Sequence, residues 1–151
     1  MIDKTKNKGF TLIELLVVIS IIGFLTVASV VAFNIVRMSS RDAIRVANIA
    51  TISRALAMYL NESTTGYPAS AGECLSNGSV VGAILMANEV IIKIPLDPLW
   101  PADAPNPDVA GDLDGFCYYY ESDNNDVYYV SYYLESNSKS GIAGPHTTVA
   151  P

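Results

Sequence analysis

The sequence predicts an α+β fold: a long N-terminal helix, its first half apolar enough to cross a membrane, packed through its second half on a small antiparallel sheet. Three observations carry this. Residues 15–36 form a run of 22 without a single charge. After it, apolar residues recur three and four apart as far as Leu60, the period of one helix face. Toward the C-terminal end, two aromatic and β-branched segments flank a polar turn, the pattern of a hairpin. The composition agrees. Half of the 151 residues are hydrophobic and 16% are charged, against a usual charged share of about a quarter, which excludes a disordered acidic chain.

The apolar run comes first. At about 1.5 Å per residue, a helix of that length crosses a hydrocarbon core of about 30 Å. Lys4, Lys6 and Lys8 precede it and predict a cytoplasmic N-terminus with the rest exported. The charges divide accordingly: the chain is +4 up to Arg54 and −10 beyond it. A duplex nucleic-acid binder needs a basic face for phosphates, and the exported part has none, so no direct nucleic-acid partner is expected. A cleavable secretory signal is the plainer reading of such an N-terminus, but its apolar region runs about 7–15 residues and ends in a small-x-small site. Here the run is longer, and Val30-Val31-Ala32 is the nearest approach to such a site. A plain uncleaved anchor is the other alternative.

Glu14 argues against both. It stands inside Lys8-Gly9-Phe10-Thr11-Leu12-Ile13-Glu14, at the edge of the apolar run, where an unpaired carboxylate costs several kcal/mol in a bilayer. A cut after Gly9 would create an α-amino group on Phe10 able to neutralise Glu14, on its own chain or on a neighbour packed alongside.

The stretch KGFTLIELLVVISIIG resembles the class III signal of type IV pilins, type II secretion pseudopilins and related filament subunits: a basic leader, a glycine, an aromatic start, a glutamate five places after the cut, then an unbroken apolar helix. The close match covers about residues 4–24. The resemblance implies cleavage between Gly9 and Phe10 by a prepilin peptidase, N-methylation of Phe10, and an assembly role for Glu14 against the amine of an adjacent subunit. It implies identical or homologous subunits as partners, together with an assembly ATPase and a platform protein in the inner membrane. The expected location is a single-pass inner-membrane protein before assembly and a cell-surface or periplasmic filament after it. Many filament pilins carry a proline in the second half of the apolar helix; residues 10–67 of this chain contain none.

The organisation that follows is a leader at 1–9, a transmembrane and assembly half-helix at 10–36, a head at 37–135 that includes the lower half of the helix, and a flexible tail at 136–151. The helix is expected to run from about residue 10 to 62, ending before Gly66-Tyr67-Pro68. Ile49, Ile52, Leu56, Tyr59 and Leu60 share one face, and Arg41, Arg45 and Asn48 another. Arg37, Arg41 and Arg45 form an i, i+4 ladder, read as a solvated or interfacial face or as a set of partners for acidic neighbouring subunits. Residues 80–89 read as a short helix weakened by Gly82, and 90–94 as a brief strand or the exit of that helix.

Ile94-Pro95-Leu96-Asp97-Pro98 forbids a central strand or a helix interior. It resembles the loop before the sheet in the major pseudopilin of type II secretion. Residues 101–114 read as loop, 116–121 and 127–135 as strands, and 122–126 as the turn between them. Seven of the nine tyrosines fall in 118–133. They fit β-propensity and half-buried packing, or a subunit-contact surface. The tail is rich in Ser, Gly, Pro and Thr.

Cys74 and Cys117, both exported, are expected to form a disulfide in an oxidising space, with two free thiols as the alternative. A loop of 43 residues closed in this way is worth about 4 kcal/mol on the chain-entropy model. Two cysteines and the lone His146 do not make a zinc site. Asp108, Asp112 and Asp114 have the composition of a calcium loop without the spacing of an EF-hand, so a solvated acidic loop is the other reading. No catalytic constellation is present in the pattern, and the expectation is a peptidase's substrate rather than an enzyme.

Overall fold

The computed structural model describes residues 10–100, 116–122 and 126–150. The element order is α1 (Leu12–Glu62), β1 (Ser70–Cys74), α2 (Val80–Ala87), β2 (Tyr119–Ser122), β3 (Tyr128–Leu134) and β4 (Gly144–Ala150). The chain divides after Arg37 into two compact units.

In the first unit, α1 is exposed at every residue from Leu12 to Arg37. It is long and apolar enough to cross a membrane. Its hydroxyls are satisfied within the helix: Ser20, Thr26 and Ser29 donate to the carbonyls of Leu16, Ile22 and Leu25 at 2.8, 2.7 and 2.8 Å. That pairing lets a polar side chain enter hydrocarbon without a bare donor. Arg37 lies over the Phe33 ring, 4.2 Å from its centroid, a cation–π contact that suits the end of an apolar run.

In the second unit, α1 buries Asp42, Arg45, Ile49, Ile52, Ala55 and Leu56. Ile49, Ile52 and Leu56 lie on the expected stripe, and Asp42 and Arg45, the latter expected on another face, extend it toward the N-terminus. The stripe meets an antiparallel sheet in the order β1-β2-β3-β4. Between them lies one core of Ile49, Ile52, Leu56, Tyr67, Leu75, Val81, Leu85, Ile94, Tyr118, Tyr120, Tyr128 and Val130. The tyrosine cluster is therefore largely core on its inward positions. Tyr67 and Tyr128 meet edge to face at 4.8 Å, and the Tyr120 hydroxyl donates to the Pro68 carbonyl at 2.8 Å. Burial pushes the Tyr118 hydroxyl up to about 12, although a hydrogen bond from Asn48 acts the other way.

Two strands stand where none was expected. β1 is built from Ser-Ala-Gly-Glu-Cys, small residues without a strand signature. Its register shifts between Ser70 and Glu73, where Gly72 has φ 124° and a Cβ would lie 1.9 Å from the Tyr119 hydroxyl. β4 corrects the expectation of a flexible tail: residues 144–150 pair in register with all of β3, from Tyr128↔Ala150 to Leu134↔Gly144. Thr147, Thr148 and Val149 are β-branched, and Pro145 is tolerated because β4 is an edge strand. The isolated bridge Ser138↔Gly141 turns the chain into it.

α2 matches its expected position. Residues 90–94 form no strand; they are irregular chain leaving the helix. Gly82, expected only to weaken α2, has a packing reason: a Cβ there would lie 1.9 Å from the Ser76 carbonyl oxygen. The expected turn at 122–126 falls partly outside the described residues.

Candidate functional site

Phe10 is 84% exposed and stands two residues before α1. Thr11 caps that helix. Its hydroxyl accepts from the Glu14 amide at 3.3 Å, while Glu14 Oε2 accepts from the Thr11 amide at 2.9 Å and from its hydroxyl at 2.8 Å. This is a reciprocal capping box, two orphan donors of the helix end satisfied at once. The Thr-x-x-Glu spacing was legible in the sequence, yet Glu14 was read there only as an odd charge awaiting an amine. Within one chain the carboxylate already has partners, and they hold it at the helix end beside Phe10. Gly9 lies outside the described residues.

The second unit carries a second charged centre that sequence reasoning placed wrongly. Arg45 was assigned to a solvated ladder or to contacts with neighbouring subunits; it is fully buried. Its Nε and Nη2 donate to the two oxygens of Asp97 at 2.7 and 3.0 Å, and Nη1 donates to Asp42 at 2.8 Å and to Glu135 at 2.5 Å. Phe116 lies under the guanidinium, 5.0 Å from Cζ to ring centroid. Arg41, half-exposed, pairs with the same Glu135. The fork of a guanidinium matches a carboxylate in just this bidentate way.

Each acid is itself held. Asp42 accepts from the Glu135 amide, the Ser136 amide and the Ser136 hydroxyl at 2.9, 2.9 and 2.7 Å. Asp97 sits in a turn: its carbonyl accepts from the Trp100 amide and its carboxylate from the Leu99 amide, with Pro98 fixing the first corner. Burial acts to raise Asp42, but the hydrogen bonds from Glu135, Ser136 and Arg45 outweigh it and hold the carboxyl below its ordinary range. Glu135 is lowered chiefly by its bond to Arg41. Arg45 is raised: desolvation opposes its charge, and the surrounding carboxylates overcome that. No buried side-chain polar atom among the described residues lacks a partner.

The Cys74–Cys117 disulfide is formed, with Cα atoms 5.7 Å apart. It joins the end of β1 to the residues entering β2, neighbouring strands of one sheet. Next to it, Glu73 reaches the N-terminus of α2 and accepts from the Val80 and Val81 amides at 2.9 and 2.6 Å, beside the Ser79 cap. Among the described residues no group of three or more His, Cys, Asp or Glu converges as a metal site. Asp108, Asp112 and Asp114 lie outside the described residues.

The family model of the prokaryotic N-terminal methylation motif matches residues 4–30. Comparison with curated proteins and with solved structures gave no significant match. The matched stretch spans the basic residues, the Gly9-Phe10 junction, the Thr11–Glu14 capping box and most of the apolar helix. The chain thus carries the prepilin-type signal of type IV pilins and pseudopilins, ahead of a head in which helix and four-stranded antiparallel sheet share one core.

Proposed function

We propose that this chain is a structural subunit of a type IV pilus-like filament. A prepilin peptidase cuts between Gly9 and Phe10, Phe10 is N-methylated, and subunits assemble through their apolar N-terminal helices. The observation that supports this most strongly is a carboxylate held at the helix end beside Phe10, followed by a helix half that is exposed throughout. A surface so apolar needs lipid before assembly and neighbouring helices after it. Head-to-tail contacts between such helices do not close, so they extend into a fibre. The subunit lies in the inner membrane with a cytoplasmic N-terminus until an ATPase-driven platform extracts it. It has no catalytic role of its own.

A second reading is a pseudopilin of type II secretion. The Ile94-Pro95-Leu96-Asp97-Pro98 segment favours it, since its aspartate is spent on fixing that loop to α1 through Arg45.

The test is the intact mass of the protein from its native membranes and from the fraction sheared off cells. A chain beginning at Phe10 and heavier by one methyl group supports prepilin processing. Its abundance in the sheared fraction supports a surface pilus over a periplasmic pseudopilus. A mass that retains residues 1–9 where the peptidase is active rejects both readings. Glu14→Val is expected to be cleaved normally and to assemble at least tenfold less, because the incoming amine loses its counter-charge; wild-type filament yield would remove Glu14 from assembly.

A further inference from the structure

The chain contains two Asn-x-Ser sequences, Asn61-Glu62-Ser63 and Asn77-Gly78-Ser79. Asn-x-Ser/Thr is the acceptor pattern for N-linked glycans, in which the hydroxyl two residues on is part of what the transferring enzyme reads. The pattern is short and arises by chance, so the structural setting has to decide which asparagine can serve. The two settings differ.

At the second sequence both reading groups are committed to the fold. Asn77 Oδ1 accepts from the Ile94 amide at 2.9 Å. The Ser79 hydroxyl is the N-cap of α2, accepting from the Gly82 amide at 3.1 Å and donating to the Ser76 carbonyl at 2.9 Å. A glycan on Asn77 would require release of the loop from residue 94 and of the helix cap together.

At the first sequence nothing of the kind holds. Asn61 and Glu62 are exposed in the last turn of α1, Ser63 follows as irregular chain, and Thr64 and Thr65 form a bend. The Asn61 carboxamide takes no hydrogen bond among the described residues, whereas Asn48, Asn77, Asn88 and Asn137 each hold one or more. Among the described residues the Ser63 hydroxyl meets local groups of Thr65. Asn61 also stands at the helix terminus, where the last turn frays at little cost. Its own side chain can thus leave helical geometry without moving the fully buried positions, which end at Leu56, while Tyr59 and Leu60 keep their partial packing on the core.

We propose that Asn61 is a glycan acceptor on the exported unit. The donor class is a glycan carried on a polyprenyl pyrophosphate. The Asn61 amide nitrogen forms the bond to the anomeric carbon, the bond from that carbon to the pyrophosphate oxygen breaks, the lipid pyrophosphate departs, and the amide proton passes to a base of the transferase.

The experiment is glycopeptide mass spectrometry on the protein from its native membranes, digested at glutamate. Cleavage after Glu62, Glu73 and Glu89 places Asn61 and Asn77 on different peptides. The expected result is whole sugar residues on the Asn61 peptide and none on the Asn77 peptide. Asn61→Gln and Ser63→Ala should each abolish the added mass, Ser63→Thr should keep it, and Asn77→Gln should leave it unchanged. Asn61→Gln should also leave the melting temperature of the unglycosylated chain unmoved, because its side chain holds nothing. An unmodified Asn61, or a glycan on Asn77 instead, overturns the proposal. The N-terminal peptide of the same digest reports Phe10 processing separately, so the filament reading stands or falls independently.

Discussion

The two halves of α1 are one continuous helix built for different surroundings. From Leu12 to Arg37 every residue is exposed, and its polar side chains bond back to the helix or stack on it. From Met38 on, the inward stripe is sealed against a sheet and begins with a buried aspartate and arginine. The first half therefore leaves its contacts to lipid and to other molecules. The second half buries one stripe within its own chain and leaves Ile44, Val46 and Met58 exposed. Substitutions in the first half should then register in insertion and assembly, and those in the second in the melting of the second unit. Each expectation below would sharpen that division if met and break it if not.

The largest effect is expected from Arg45→Met. Removing one partner from a buried ionic cluster typically costs about 3–5 kcal/mol, because charges remain without compensation. Here Asp97 loses two hydrogen bonds from the guanidinium, and Asp42 and Glu135 lose one each. Thermal melting of the full chain in detergent, followed by near-ultraviolet circular dichroism of the tyrosine core, should show a large drop. Cleavage after Gly9 should be unaffected. Melting unchanged by the substitution would mean that the guanidinium is not what fastens the Asp97 turn and the end of β3 to the helix.

That network was the least legible part of the sequence. Arg37, Arg41 and Arg45 share one i, i+4 spacing, yet their fates run from exposed to fully buried. Arg45 stands four and seven residues before Ile49 and Ile52, so helical spacing puts it on their face rather than on the separate one it was given, and spacing does not say what stands opposite. The deciding partners, Asp97 and Glu135, lie 52 and 90 residues away. Local features fared better. The helix bounds, the apolar stripe, α2, two strands and the Cys74–Cys117 pair were readable because each rests on nearby pattern or on a small number of candidates. β1 was not, since it forms on β2 as a template rather than from propensity of its own, and the short β-branched run Thr147-Thr148-Val149 of β4 was hidden among the glycines, serines and prolines around it.

Gly82→Ala is expected to come next. Alanine is the better helix former by about 1 kcal/mol, so a substitution in an open helix would stabilise. Its methyl would instead lie 1.9 Å from the Ser76 backbone oxygen, and overpacking of this kind costs about 1–3 kcal/mol. A lowered melting point supports the close approach of α2 to the Ser76 loop; a raised one would show that the loop yields.

Acid should have a smaller and graded effect. Asp42 and Glu135 both titrate below their ordinary values in the fold. Their contribution is therefore complete above the unfolded values of about 4 and is lost as pH falls through the folded ones. Melting of the second unit should be flat from about pH 7 to 5 and decline below about pH 4. In Arg45→Met the trend should weaken or reverse, because protonation then relieves carboxylates that have lost their cation. The same decline in both proteins would place the acid-sensitive groups elsewhere.

The smallest effect, and the only stabilising one, is expected at Glu89. α2 ends with the Glu89 amide donating to the Met86 carbonyl and the Val90 amide to the Leu85 carbonyl, a helix stop in the Schellman manner. That stop needs a left-handed residue, and Glu89 supplies it with φ 57°, a conformation that burdens any side chain with a Cβ. Glycine removes the burden but is freer when unfolded, so the two terms partly oppose each other. A left-handed Cβ costs roughly 1–2 kcal/mol, and the unfolded-state term returns roughly 0.4–1 kcal/mol of it. Glu89→Gly should thus raise stability by about 0.5–1 kcal/mol, while Glu89→Val, β-branched at the same φ, should lower it. Glu89 is exposed, so neither change should alter processing at Phe10 or filament yield. A change in yield without a change in melting would show that this corner of the head meets a neighbouring subunit.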